Sequence, residues 1–571
     1  MTPGNVITLM NDETRSNRPR VIVFLFTSFV YLFSKWITFK GFNGTDDLHY
    51  AMLASRVLTG TFNPFESSDI FAGRIGLIYS QALIYFVGGI NVFTTQIGTL
   101  LVTVLCCYLT VFKLGRFEKT GSVLIACALF YFNPVLNEAT LGVMPDVFVL
   151  LAGITILLLW KNITAAPPGS GIIFKSLMIG VVALAAMFFK ENALIFIPFL
   201  VCAGIFHKKD NGIKAAIISI GTFGIGVMMC GWLYFYLTGD FFFRMHQVQN
   251  SAYLNPCNYA LLPGKELSVR LTYGVWKEFI TSGFYPVILA SSLIFLRLLF
   301  SRDFKINERP FVVYFILLIV LGLYFPFSFT DYQPLCFKAR HFIFLYPLGI
   351  IIAVQFLEEA FQHTSKLLVR FIVVSLLLLI LCVISTGEKW YWMMYGLFFL
   401  YFLGLIFFRN TFIYRLKYVG FAVVLWLYMP YHLFFQNSNW FKDLGTFSTQ
   451  LTGRYFYFPE HDNTYHFELL HHFDNSYHIY NVEQHPFKIF DLYYQKQDSV
   501  FHPGWFILNK TYTLRSLSFI ESMQELERKK YFNNKKVTGD VSAYYISNPE
   551  QLKHIEALTA EDGSSENNCC N

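Results

Sequence analysis

Two adjacent carboxylates, Asp46 and Asp47, stand just past the first long apolar run, Val21 to Phe39. Charge at a membrane exit is costly unless a function holds it there. If this stretch is helical, Asp46, His49 and Tyr50 share one face by i, i+3, i+4 spacing, and Asp47 points elsewhere. A carboxylate can take a proton from a hydroxyl, so Asp46 reads as a base at the water–lipid boundary. The plainer reading is a hydrated loop whose charges end a membrane helix. Further ionisable residues fall at apolar-run ends on what the loop charges make the same side: Arg56, Arg74, Asp146, Lys190, Glu191, Lys338, Arg340 and His341. Cations hold phosphate, arginine in bidentate fashion. Carboxylates and cations on one face suit transfer of a group from a phosphorylated lipid to a hydroxyl or amine, with the phosphate leaving into a positive field.

Three of these sites also have a bland explanation. Asp146 follows Pro145 at the start of an apolar run, and a carboxylate in a first helical turn is favoured by the dipole. Lys190-Glu191 joins two apolar runs with almost no loop and could be a pair marking a tight turn. Arg340 opens a run together with His341. The dipole disfavours arginine there, which singles it out, although snorkelling to headgroups would also account for it. In the tail, His461, His466, His471, His472, His478, His485 and His502 do not repeat at i, i+4, so they outline no metal-binding helix face. Asn43-Gly44-Thr45 and Asn509-Lys510-Thr511 match a glycosylation acceptor pattern that is common by chance.

The elements that must position these groups follow from composition. The 571 residues are 55% hydrophobic and only 14% charged, with the apolar residues in long runs, which excludes an ordinary soluble protein. The net charge of +7 is spread over short loops, with no cluster that reads as a nucleic-acid site. Runs near 21–39, 93–112, 121–136, 146–160, 174–189, 192–206, 214–237, 283–300, 311–328, 341–357, 368–385, 391–408 and 418–435 give about thirteen transmembrane helices. The run 73–89 carries Arg74, Ser80 and Gln81 and is short. Taken as a helix along the membrane surface, it lets the loops with Lys113, Arg116 and Lys119, with Lys208 and Lys209, and with Arg302 and Arg309 share the cytoplasmic side, as the positive-inside rule asks. The expected organisation is a cytoplasmic N-terminus (1–20), a membrane domain (21–435) whose outer loop 40–92 holds the acidic pair, a small extracytoplasmic α/β or α+β domain (436–556), and a disordered end (557–571). A second long outer loop, about 238–282, is broken by Pro256, Pro263 and Gly264. Of the ten cysteines, Cys257 and Cys336 fall in loops on the same outer side, where a disulfide is possible. The first apolar run is too long for a cleaved signal peptide and reads as a retained anchor.

The run Asp46-Asp47-Leu48-His49-Tyr50-Ala51, followed by Ala54-Ser55-Arg56, resembles the first outer loop of the GT-C glycosyltransferases, in particular the branch of bacterial aminoarabinose transferases and protein O-mannosyltransferases (glycosyltransferase family 39 type). Arg74-Ile75-Gly76-Leu77 through Gly88-Gly89 is similar to that branch's Lys-Pro-Pro-Leu segment and surface helix. Asp146 in Met-Pro-Asp matches a second acidic position, Lys190 a basic one between two helices, and Ala339-Arg340-His341 a late Ala-Arg-Tyr helix start. Three positions depart: Asp47 stands for glutamate, His49 for arginine, and Arg-Ile-Gly for Lys-Pro-Pro. The resemblance implies a GT-C fold and a polyprenyl-phosphate sugar donor, with a lipid, glycan or protein acceptor. Asp46 would activate the acceptor for inverting attack, with Asp47 beside it. Arg74, Lys190 and Arg340 would hold the departing phosphate, and Asp146 would orient a substrate or bind a divalent metal ion where one is used. His49, Tyr50, Arg56, Glu191 and His341 would line the substrate site. It places the protein in a membrane, as a multi-pass protein of the bacterial inner membrane acting on the periplasmic face.

Two other classes compete. A transporter or flippase of lipid-linked sugars also carries intramembrane charge, but near helix centres and with paired broken helices. A ligase joining finished polysaccharide to lipid would rely on a large outer loop with arginine and histidine, a description that the 238–282 loop with Arg244 and His246 meets.

Overall fold

In the computed structural model the described residues are 3–39, 41–42, 46–65, 69–165, 171–208, 211–249, 258–259, 261–300, 309–326, 332–363, 365–385, 389–407 and 416–436, together with parts of the tail between 444 and 566. Among the described residues the apolar runs are largely helical. In chain order the helices are α1 (Pro3–Thr38), α2 (Asp46–Leu58), α3 (Ile75–Gly88), α4 (Val92–Tyr108), α5 (Thr120–Tyr131), α6 (Pro134–Glu138), α7 (Asp146–Thr164), α8 (Ile172–Met187), α9 (Phe196–Phe206) and α10 (Gly212–Thr238). They continue with α11 (Phe243–Gln249), α12 (Gly264–Leu271), α13 (Gly274–Thr281), α14 (Tyr285–Phe300), α15 (Pro310–Tyr324), α16 (Tyr346–His363), α17 (Ser365–Ile384), α18 (Lys389–Phe407) and α19 (Lys417–Gln436). Among the described residues five helical segments are long and apolar enough to cross a membrane: Arg18–Thr38, Val92–Leu114, Asp146–Thr164, Gly212–Thr238 and Ala339–Phe361. Shorter apolar helices pack between them around one large hydrophobic core.

Local chemistry sets the helix ends. Asn91 accepts from Thr94 N at 2.9 Å while Thr94 Oγ1 accepts from Asn91 N at 3.1 Å, a capping box that starts α4. Gly89 at φ 72° ends α3, a conformation that a side chain would resist. At 14 residues α3 is about 21 Å long, short of the ~30 Å hydrocarbon core. Its Tyr79, Leu83, Phe86 and Val87 are exposed along one face while Leu77, Ile78, Ala82 and Tyr85 are buried, the pattern of a helix lying along an apolar surface.

The two ends of the bundle carry separate sets of ion pairs. At the far end of α16, Glu358 meets Ser122 and Lys119 (3.6 Å), and Glu359 meets Arg297 and Arg309 (3.7 Å). Arg340 lies just before α16, eighteen residues from Glu358, or about 27 Å along a helix. The basic-loop residues Lys119 and Arg309 are therefore gathered away from the end that holds Asp46.

The chain between α5 and α7 leaves helical hydrogen bonding, and buried side chains satisfy its backbone. Tyr346 OH donates to the Leu129 and Phe130 carbonyls (2.7 and 2.8 Å), and Tyr285 OH to the Phe132 carbonyl (2.7 Å). Asn133 caps α6 and donates to Gly283 O at 3.1 Å. Lys35 Nζ donates to Asn137 O at 2.8 Å. This linker carries Glu138, Gly142 and Asp146.

The tail forms a mixed five-stranded sheet, order β2-β1-β3-β5-β4, from β1 (Tyr455–Phe458), β2 (His478–Asn481), β3 (Gly504–Asn509), β4 (Lys535–Thr538) and β5 (Val541–Ile546). The alternating stretches 455–458 and 542–546 are strands, as their period of two predicts. One face (Tyr457, Phe506, Leu508, Tyr544, Ile546) packs on α20 (Leu517–Arg528) and on Ile555 of α21 (Pro549–Glu566). The other (Phe456, Phe458, Trp505, Ile507, Val541, Ala543) shares a core with α2 and α3. The sheet is thus built onto the segment that carries Asp46. Helix α21 runs to Glu566, past the boundary expected at 557, and residues 567–571 lie outside the described part.

Cys336 is disulfide-bonded. Its expected partner Cys257 lies outside the described residues, but Tyr259 N donates to Tyr332 O at 3.1 Å, which brings the two loops together beside it. His461, His466, His485 and His502 and both glycosylation patterns also involve residues outside the described part.

Candidate active site

Helix α2 begins at Asp46, and the face defined by i, i+3, i+4 spacing reaches both the turn before α16 and the 69–74 loop. Asp46 Oδ2 accepts from Arg340 Nη2 at 3.3 Å. His49 Nε2 meets Asp69 Oδ2 at 3.0 Å, both side chains fully enclosed. Tyr50 OH accepts from Arg74 Nη1. Asp47 points away from this face, as expected. It accepts from Leu48 N at 3.0 Å and lies against Gly142, where an added Cβ would come within 2.7 Å of Asp47 Cβ and Oδ2.

Arg74 precedes α3, and Gly76 N donates to Phe188 O at 3.1 Å, docking this end of α3 on the end of α8. That contact sets Arg74 beside the 190–191 turn. There Lys190 and Glu191 do not pair with each other. Lys190 Nζ donates to Asp146 Oδ1 at 2.6 Å in an almost wholly buried ion pair. Glu191 Oε2 accepts from Arg74 Nη2 at 3.1 Å and Nε at 3.3 Å, and its Oε1 accepts from Arg244. Arg244, on α11, also donates to Ile70 O at 2.8 Å, and Gln247 Nε2 donates to Asp69 O at 2.8 Å, so α11 holds the 69–74 loop in place. A Cβ at Gly73 would fall on the Arg244 guanidinium, so only glycine allows this approach.

Burial pulls the Lys190 ammonium down to about 8. The Asp146 charge opposes that shift, and the nearby Arg340 and Arg74 charges add to it. Arg74, Lys190 and Arg340 therefore share one electrostatic neighbourhood, and within it Arg340 bonds Asp46 directly. Asp146 Oδ2 and His341 Nδ1 are buried with no hydrogen-bond partner. Such atoms are costly to leave unpaired.

Most of the sequence-derived residues are thus brought together: Asp46, Tyr50, Arg74, Lys190, Glu191, Asp146, Arg340 and His341. Asp47 and His49 are enclosed beside them, held by local backbone and by Asp69. Arg56 lies in the last turn of α2, ten residues or about 15 Å along the helix from Asp46. Among the described residues no group of three or more histidine, cysteine, aspartate or glutamate side chains is arranged to hold a metal ion. Sequence reasoning missed Asp69 and Glu138 as site residues and set Arg244 under another reading. Asp69 and Glu138 carry no motif, and only the fold brings them here.

No family model matches the chain, and no curated protein does. Among solved structures it is similar to ArnT from Cupriavidus metallidurans bound to undecaprenyl phosphate, with a TM-score of 0.54 at 14% identity over 92% of this chain and 97% of that one. The same protein in the apo state gives a TM-score of 0.52 at 13% identity over the same shares. The chain has the GT-C fold. A weaker likeness, TM-score 0.43 at 9% identity over 79% of this chain and 63% of that one, is to the Archaeoglobus fulgidus oligosaccharyltransferase tethered with an acceptor peptide. The GT-C fold and the apolar helices make this an integral, multi-pass membrane protein.

Proposed function

We propose that this GT-C protein is a glycosyltransferase that moves a sugar from a polyprenyl-phosphate donor to a hydroxyl of a lipid, glycan or protein acceptor. In this reading Asp46 takes the proton from the acceptor O–H as the oxygen attacks the anomeric carbon. The bond from that carbon to the phosphate oxygen breaks with inversion, and the polyprenyl phosphate leaves as an anion toward Arg74, Lys190 and Arg340. The observation that carries this reading is the contact of Asp46 with Arg340 inside a cluster that also holds Arg74 and Lys190. A base and phosphate-binding cations at one spot are what such a transfer needs. Undecaprenyl phosphate, the lipid bound in the similar ArnT structure, is the natural first donor carrier to test.

The charges gather at helix ends rather than helix centres, which favours an enzyme over a transporter. The basic loops at the opposite end of the bundle support placing the active end on the extracytoplasmic side, the periplasmic face of a bacterial inner membrane in this reading. The division we adopt is a cytoplasmic segment 1–20, about thirteen spans over 21–435, and an outer module from 436 that takes in α21 and covers the site. The test is transfer from undecaprenyl-phosphate sugars by the purified protein and its Asp46→Asn variant. Equal turnover in both removes Asp46 as the base.

A further inference from the structure

At the end of the bundle away from Asp46, several basic residues have an acid beside them. Lys119 meets Glu358 at 3.6 Å, and Arg297 and Arg309 meet Glu359. Lys113, Arg116 and Lys161 do not. Among the described residues none of these three forms an ion pair with a carboxylate, although Glu118 stands in the same loop. The backbone that presents them is unusual. Helix α4 widens at its end into a π-helical turn, Leu109–Leu114, closed by Gly115 N on Thr110 O at 2.8 Å. Such turns are rare and recur at functional sites. Arg116 follows at φ 51°, a left-handed conformation that is costly for any residue but glycine. The turn is pinned from two sides. Lys161 Nζ of α7 donates to Leu114 O at 2.9 Å, and Arg20 Nη1 of α1 donates to Phe117 O at 3.3 Å.

Lys161 lies 5.1 Å from the Phe311 ring centroid, and the Arg116 charge acts on it. Lys113 lies 5.9 Å from the Tyr108 ring centroid. Like charges gathered without an acid repel one another, and an anion between them relieves that repulsion. Beside the cations the surface is apolar. Leu101, Leu105 and Tyr108 are exposed at i, i+4, i+7 spacing, so they form one stripe along α4 about 10 Å long. A soluble anion gains from the cations alone. A phospholipid gains from both, with its phosphate on the cations and an acyl chain along the stripe. We propose that Lys113, Arg116 and Lys161 form a binding site for the phosphate of an anionic glycerophospholipid in the leaflet at this end of the bundle. A zwitterionic lipid brings its own ammonium, which the three cations repel, so the charge match selects the occupant. The site lies at the opposite end from Asp46 and is independent of the reaction assigned there.

The experiment titrates dioleoylphosphatidylglycerol into the detergent-solubilised full-length protein and counts bound lipids by native mass spectrometry. Dioleoylphosphatidylcholine serves as the zwitterionic lipid and excess inorganic phosphate as the soluble anion. Lys161 is left in place because it also ties α7 to the turn. The Lys113→Gln/Arg116→Gln variant should hold one phosphatidylglycerol fewer, with the Kd for that lipid raised about 25-fold, roughly fivefold per cation. A lipid held at the active end is present in both proteins and cancels in the count. Arg116→Gly removes the charge and relieves the left-handed backbone, so it should bind about fivefold more weakly while unfolding at no lower temperature than wild type. Lys113→Arg should bind as wild type does. An unchanged lipid count in the double variant, wild-type affinity in Arg116→Gly, equal binding of phosphatidylcholine by the wild type, or displacement of the lipid by inorganic phosphate overturns the proposal. Should the double variant fail to fold, Arg116→Gly decides alone.

Discussion

Raising the pH should loosen the grip on a lipid phosphate through one residue, Lys190. Burial brings its ammonium down to about 8, while a phosphate monoester, with a second pKa near 6, keeps its full charge from pH 7 upward. If the anion is held by the protonated lysine alone, linkage makes the Kd scale with one plus ten to the power of (pH − 8). From pH 7 to pH 9 that is a rise of about tenfold. The assay is titration of undecaprenyl phosphate into the detergent-solubilised protein at several pH values. Lys190→Arg, which keeps its charge, should flatten the dependence. A Kd that is constant from pH 7 to 9.5, or that rises equally in Lys190→Arg, refutes the reasoning. The same shift acts on stability in the other direction. An unfolded lysine stays charged up to its ordinary 10.5. The cost of burying the charge is therefore present in full below pH 8 and is relieved as pH climbs toward 10.5, by about 3 kcal/mol.

Asp46→Asn should lower turnover by about a hundredfold or more and leave undecaprenyl phosphate binding within a few-fold of wild type, measured by product formation and by titration. Glu191→Gln weakens the anion shared by Arg74 and Arg244, and a fall in stability of about 1–3 kcal/mol is expected in thermal unfolding, with loss of activity because the 69–74 loop is released. Gly142→Ala pushes on Asp47 and should cost about 1–3 kcal/mol and displace the start of α2. Trp505→Ala opens the core between the tail sheet and α2–α3. About 3–5 kcal/mol of destabilisation should come with reduced turnover, and an unchanged turnover would detach the sheet from the site.

The long apolar runs decided by themselves that the chain is a helical membrane protein, because about 20 consecutive apolar residues have few other stable homes. Local periodicity also settled the α2 face and the strands at 455–458 and 541–546, since both follow from backbone geometry that neighbours in sequence share. Partner choice was not legible there. Lys190 and Glu191 are adjacent in sequence, yet they bond to Asp146 on α7 and to Arg74 in the 69–74 loop and Arg244 on α11. Glu138 and Asp69 looked like ordinary loop acids until the fold set them against Arg340 and His49. Ion pairs between residues tens to hundreds of positions apart depend on how helices dock, and docking is fixed by packing summed over the whole core. No short stretch of residues carries that information, so the chain announced its membrane and its acidic pair, and only the tertiary structure chose which cation meets which acid.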